Sequence, residues 1–172
     1  MREILSVLVD NHAGVLARVS GLFSRRAYNI ASLAVGVTDN PAISRMTIIV
    51  NCDERTLDQV VNQIAKLTCV HTVHVLTRDS AVSRELALVK VQAAAEQRAE
   101  VLSLANVFRA RIIDVGRQTM TLEMTGEQDK IEAFMDLMGE YGILEMARTG
   151  MVALERGEKT IYTAVQEQQG EA

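Results

Sequence analysis

The sequence predicts an α+β protein built from two tandem ferredoxin-like βαββαβ units. Two observations predict it: strand-like apolar runs alternate with amphipathic helical stripes in that order up to residue 77, and the same order runs again after a short polar stretch. Ile4-Leu5-Ser6-Val7-Leu8-Val9 reads as the first strand. Val15, Leu16, Val19, Leu22 and Phe23 then fall on one helical stripe, and Arg25-Arg26 mark its cationic C-terminal end. Residues Ile30 to Val37 and Ser44 to Val50 form two more strands around the turn signal Thr38-Asp39-Asn40-Pro41. Leu57, Val60, Val61, Ile64 and Leu67 make a second helix with Asp53 as its N-cap, and Val70 to Leu76 is the fourth strand.

The polar stretch Thr77-Arg78-Asp79-Ser80 interrupts the pattern. Leu86 to Val91 then reads as a strand, and Val101, Leu104, Ala105 and Phe108 as a helical stripe. Ile112-Ile113-Asp114-Val115 and the alternation Met120, Leu122, Met124 are the next two strands. Thr125-Gly126-Glu127-Gln128 has the form of a capping box before a helix carrying Ile131, Phe134, Met135 and Met138, and Ile143 to Ala147 is the last strand. The expected boundaries are a first domain over 1–77, a linker over 78–83, a second domain over 84–160 and a polar tail over 161–172, where Gln166, Gln168 and Gln169 lie. Little residue identity links the halves. In the first strand Ile4 and Leu8 face one side and Leu5, Val7 and Val9 the other, so the sheet needs a cover on both faces. Pairing between chains, or between the two halves, is expected.

At 172 residues and 48% hydrophobic composition the chain can bury one large core or two small ones. Aromatics make up 3% and the net charge is −4, which leaves neither a base-stacking platform nor a basic footprint for nucleic acid. No run approaches the roughly 18 apolar residues of a membrane-spanning helix. Met1-Arg2-Glu3 leads directly into a strand pattern without the marks of a signal peptide, and Cys52 and Cys69 make no disulfide framework. The expectation is a reduced, cytoplasmic protein with no membrane and no nucleic-acid partner.

The stretch with most chemical content is Asp10-Asn11-His12-Ala13-Gly14-Val15-Leu16, where a strand stops and a helix begins. Asn and Gly sit where the first helical N–H groups lack partners, and no acidic residue follows in the first turn. That arrangement seats a small anion such as a carboxylate. The competing reading is that Asn11 caps the helix and Gly14 shapes a turn. Cys52, Cys69, His71 and His74 invite a metal, but strand alternation puts Cys69 and His71 on one face and His74 on the other, with no CxxC spacing. His12 reads as a solvated loop histidine. Ser6, Ser20 and Ser24 lie on strand or helix patterns without a nucleophile elbow, and Glu123 and Glu145 are strand carboxylates of unknown separation. No catalytic residue and no metal or cofactor site is expected in this chain.

A family resemblance adds to this reading. Ile4 to Asn11, Gly14-Val15-Leu16-Ala17-Arg18-Val19, Gly21 to Arg26, Tyr28-Asn29-Ile30-Ala31-Ser32-Leu33 and Ser44-Arg45-Met46-Thr47 together resemble the ACT domain of the small, regulatory subunits of acetohydroxyacid synthase (acetolactate synthase). Glu85 to Val91, Phe108 to Val115 and Ala147-Arg148-Thr149-Gly150 extend the resemblance to about residue 160. It implies a non-catalytic subunit that activates a catalytic large subunit and confers feedback inhibition by valine or another branched-chain amino acid. Thiamine diphosphate, Mg²⁺ and FAD are then implied for the catalytic partner alone. It further implies a homodimer through the ACT domains with the effector between them. On that basis Asn11, Gly14, Val15 and Leu16 are the expected effector-binding residues, completed by Asn29 and Ile30 of a partner chain. The carboxylate would take the N–H groups of Gly14 to Leu16, and Asn11 would accept from the ammonium. The second unit has Gln92-Ala93-Ala94-Ala95-Glu96 in place of this turn and is expected to bind no amino acid. The alternatives are a stand-alone amino-acid-responsive regulator and an enzyme of ferredoxin-like fold.

Overall fold

Period-two and period-3.6 segments become strands and helices in the expected order. The computed structural model describes residues 1–77 and 79–163. The first repeat is β1 (Arg2–Asp10), α1 (Val15–Arg25), β2 (Ile30–Val37), β3 (Ile43–Asn51), α2 (Glu54–Ala65) and β4 (Val70–Leu76). The second is β5 (Ala81–Gln92), α3 (Arg98–Phe108), β6 (Arg111–Val115), β7 (Thr119–Gly126), α4 (Gln128–Gly139) and β8 (Ile143–Arg148). A further strand that the sequence reading lacks, β9 (Val152–Glu155), follows. The expected polar tail lies outside the described residues apart from 161–163.

The first sheet runs β2-β3-β1-β4 and the second β6-β7-β5-β8, each antiparallel with the two central strands contributed by the first and third strands of its repeat. This is the ferredoxin-like order, twice. One face of the first sheet packs Leu5, Val7, Val9, Met46, Ile48 and Val50 against Val15, Val19, Leu22, Phe23, Val60 and Ile64 of the helices. Each fully buried side chain of this size contributes roughly 1.5–3 kcal/mol. The second unit repeats the arrangement with Ala87, Val89, Val91, Leu122 and Met124 against Val101, Ala105, Ile131, Phe134 and Met138.

The outer face of the first sheet is covered in part by the chain's own C-terminal segment. Ile4, Ile49 and Leu76 cluster with Ala81, Met151 and Ala153, and the Met151 N–H donates to Ser32 Oγ at 3.0 Å. Gly150, at φ 78°, takes the turn that lets Met151 and Ala153 alternate inward. Residues from Met151 on accordingly group with Met1–Val82, while Ser83–Gly150 form the second unit. The sequence reading keeps 84–160 together because it has no strand after Ala147 with which to bring the chain back.

Two local expectations are corrected. Thr125 and Gly126 are still paired with β5, opposite Leu86 and Glu85, so no capping box forms and α4 starts at Gln128 without a side-chain cap. In β4 the register slips between Leu8 and Val9, so that Thr72 faces Leu8 and Val70 faces Val9. The extra residue, His71, is exposed, whereas Cys69 is 2% exposed in the core, and the alternation that would place both on one face fails. The Asp53 cap does form: its Oδ1 accepts from the Thr56 N–H at 2.8 Å. Hydrogen bonding to Thr56, through its side chain first and its backbone N–H second, holds the Asp53 carboxyl below its ordinary value of 3.8. Folding therefore favours the ionised form, and the cap's contribution is present above that value and lost as pH falls through the lowered one. Asp53→Ala should lower the melting temperature at neutral pH and flatten its dependence below pH 4, measured by circular dichroism melts; an unchanged acid limb would refute the link.

Candidate functional site

The turn after β1 is built around Gly14. It is the N-cap of α1 at φ 89°, a left-handed conformation that favours glycine, and open space surrounds the position of a Cβ. No side chain caps the helix and its first turn carries no acidic residue. The Val15 N–H reaches only His12 O, at 3.4 Å. The positive end of α1 is thus open to an anion.

Asn11 does not cap the helix. Its Nδ2 donates to Pro41 O at 2.8 Å, its Oδ1 accepts from Ser44 Oγ at 3.0 Å, and its N–H donates to Ala42 O at 2.8 Å. The side chain ties the turn to the β2–β3 connection, and its carbonyl oxygen retains one lone pair for a further donor. Val15 is 3% exposed and points its side chain into the core, so only its backbone can serve a ligand. Leu16 is 47% exposed and presents an apolar surface at the same turn.

Asn29 and Ile30 are not brought to this turn within one chain. Ile30 pairs with Val50, whereas the Asp10 end of β1 pairs with Ile43. The seven-residue separation along β3 is about 23 Å. Asn29 is exposed beside β2, whose outer edge has no strand partner in this sheet.

Asp10 is the residue that sequence reasoning passed over. His71 Nε2 lies 2.7 Å from its Oδ1, and His12 Nε2 lies 3.6 Å from its Oδ2. All three are well exposed, so the pairs contribute little to stability. Their effect is local: they hold a carboxylate at the mouth of the turn. The adjacency of Asp10 and Asn11 in sequence was the available signal.

Elsewhere, Glu123 and Glu145 flank β5 on opposite sides, opposite Leu88 and Lys90 and so about 12 Å apart at ordinary strand spacing, and do not form a carboxylate pair. His74 pairs with Glu155, at 3.0 Å. Among the described residues no three His, Cys, Asp or Glu side chains are grouped to hold a metal ion, and no helix is long and apolar enough to cross a membrane.

In the second unit the corresponding turn is closed from within. Arg98 donates through Nη2 to Gly116 O and Arg117 O at 2.7 and 2.5 Å, and Glu100 stands in the first turn of α3. The Glu100 carboxylate works against an anion there, and the Arg98 Nη2 donors are already taken by backbone carbonyls.

Comparison with known proteins agrees with the fold. Residues 5–72 match the family model described as an AHAS small subunit-like ACT domain, and residues 84–157 match that of the small subunit of acetolactate synthase. A probable acetolactate synthase small subunit of Archaeoglobus fulgidus is 51% identical over 159 residues, covering 92% of this chain and 99% of the relative. The acetolactate synthase small subunit of Mycolicibacterium smegmatis is 46% identical over 160 residues, covering 93% and 94%. The crystal structure of the Thermotoga maritima acetolactate synthase small subunit superposes with a TM-score of 0.86 at 38% identity, covering 92% of this chain and 99% of that one. The chain belongs to the acetolactate synthase small-subunit family, whose ACT-domain members are regulatory and leave catalysis to the large subunit.

Proposed function

We propose that this regulatory subunit activates an acetolactate synthase catalytic subunit and makes it sensitive to a branched-chain amino acid, valine or a close relative, bound at the Asn11–Leu16 turn. The uncapped, Gly14-led N-terminus of α1 carries the proposal. Its donors suit the effector carboxylate, Asn11 Oδ1 and the Asp10 carboxylate suit the ammonium, and Leu16 offers an apolar wall.

Asn29 and Ile30 can complete this pocket only from a second copy, given their distance from the turn in one chain. The unpaired edge of β2, with Val35 and Val37 exposed, is suited to such pairing. In this reading the homodimer is part of the sensor, and effector binding shifts the enzyme toward an arrangement of low activity by a coupling of about 1–3 kcal/mol. The second unit binds no amino acid and contacts the catalytic subunit. Its edge strand β8, with Leu144 and Met146 about half exposed, is available for that. Thiamine diphosphate, Mg²⁺ and FAD belong to the catalytic partner, and the assembly works in the reduced cytoplasm.

Isothermal titration of the purified chain with valine, against alanine and lysine, tests the site. Saturable, valine-selective heat near one equivalent per chain or per dimer is expected, as is valine-sensitive activation when the chain is added to its catalytic subunit. Activation without any amino-acid response would leave the activator role and remove the sensor. Turnover of pyruvate by the chain alone would overturn the whole reading.

A further inference from the structure

A partly open cavity of about 280 Å³ lies on the outer face of the first sheet, away from the Gly14 turn, bordered by the segment from Leu154 to Tyr162. The register explains its polarity. Ser6 on β1 sits opposite His74 on β4 and opposite Thr47 on β3, with Arg45 two residues further along β3 on the same face. That diagonal spacing is within reach of a long side chain. The Ser6 residue is 2% exposed, and its Oγ is buried without a hydrogen-bond partner. An orphaned hydroxyl at such a place is uncommon and calls for a missing partner.

The charges around it are unequal. His74 Nε2 lies 3.0 Å from Glu155 Oε2 as an ion pair, although that oxygen, like Ser6 Oγ, is buried without a hydrogen-bond partner. Arg45, half-buried and lining the same cavity, has no ion-pair or hydrogen-bond partner for its side chain among the described residues. Among the described residues, the Arg45 guanidinium and the buried Ser6 hydroxyl at this cavity are without partners, and its walls include Leu154 and Ile161. Its volume is slightly below the range of about 300–1,000 Å³ usual for small-molecule pockets, which suits a small occupant.

We propose that this cavity is a second ligand site, independent of the Gly14 turn, which takes the carboxylate of a small aliphatic acid on Arg45 and Ser6. The guanidinium supplies the charge and a forked donor, the Ser6 hydroxyl donates once, and the aliphatic part rests against Leu154 and Ile161. An ammonium group is not required for binding here, which separates this site from an amino-acid sensor.

The full chain titrated with isobutyrate, and in parallel with isobutyramide, tests the assignment. Isobutyrate should bind saturably at millimolar concentration with one site per chain, and the neutral amide about tenfold more weakly. Arg45→Met, which keeps the aliphatic stem, and Ser6→Ala should each weaken isobutyrate by about tenfold or more, while Gly14→Asp leaves it unchanged. Without ligand, Ser6→Ala should melt no lower than the parent chain, because the hydroxyl has no bond to lose. Isobutyrate heat that is absent, or that survives both Arg45→Met and Ser6→Ala, overturns the proposal. So does a large loss of ligand-free stability in Ser6→Ala, which would show that the hydroxyl is already satisfied within the protein.

Discussion

Arg148→Met should destabilise the second unit by about 3 kcal/mol, the largest loss expected from a single substitution outside the hydrophobic cores. Arg148 donates through Nε and Nη2 to the two carboxylate oxygens of Glu85, at 2.9 and 2.5 Å. Glu85 is buried, with a side chain 6% exposed, and Arg148 is 31% exposed. The hydrogen bond to Glu85 raises the Arg148 pKa above its ordinary value, although burial works the other way. Removing the guanidinium leaves a carboxylate in a site that water barely reaches, and this desolvated charge sets the cost more than the lost bond does. Glu85→Gln leaves its partner partly solvated and should cost less, about 1–2 kcal/mol. The double variant Glu85→Leu/Arg148→Met should recover most of the loss, because an apolar pair leaves no unpaired charge. Denaturant unfolding, combined with hydrogen exchange of the β5 and β8 amides, reads this out. A double variant as unstable as Arg148→Met would show that the stability comes from packing of the Arg148 stem and not from the ion pair.

The same residues show what a sequence discloses and what it withholds. Ala147-Arg148-Thr149-Gly150 was legible as part of a family pattern, but its mechanical role was not. Thr149 exchanges bonds with Leu86, its N–H donating to Leu86 O at 3.0 Å and its Oγ1 accepting from the Leu86 N–H at 3.1 Å. With the Arg148–Glu85 pair, these bonds fasten an edge strand exposed along its length, across 63 positions of sequence. No local period encodes a partner that remote. The repeated strands and helices were legible because each buries one face, and burial writes its period into the residues. β9 escaped because four residues are too few to display a period, and because its reason for existing is the bare face of Ile4, Ile49 and Leu76. The apolar outer face itself was read correctly from Ile4 and Leu8, while the source of part of its cover was not.

At the candidate site the local half was legible and the long-range half was not. Gly14 and the absence of an acidic first turn belong to one helix start, and both are evident in the sequence. The bonds from Asn11 to Pro41 and Ser44, and from His71 to Asp10, join positions 30 to 61 residues apart. They make Asn11 a brace between two loops, which removes the competing reading of it as a helix cap. What these bonds leave unoccupied is the end of α1, and a charge placed there tests it directly.

Gly14→Asp should abolish or greatly weaken the amino-acid response while leaving activation of the catalytic subunit largely intact. A carboxylate on residue 14 would stand within a few ångströms of the proposed carboxylate seat, where like charges repel by about 1–4 kcal/mol at surface-like dielectric. That corresponds to a loss of effector affinity between about fivefold and several hundredfold. The fold should tolerate the change. A Cβ at residue 14 meets nothing within 4 Å, and Asp is among the residues that enter the left-handed region at φ 89° with least strain. Gly14→Asn separates charge from shape, since it imposes the same backbone demand and nearly the same volume without the negative charge. It should retain most of the response. Equal loss in Gly14→Asp and Gly14→Asn would assign the effect to the glycine conformation and not to an anion seat. Full valine sensitivity in Gly14→Asp, measured as inhibition of the reconstituted enzyme and as heat of binding to the isolated chain, would place the effector elsewhere.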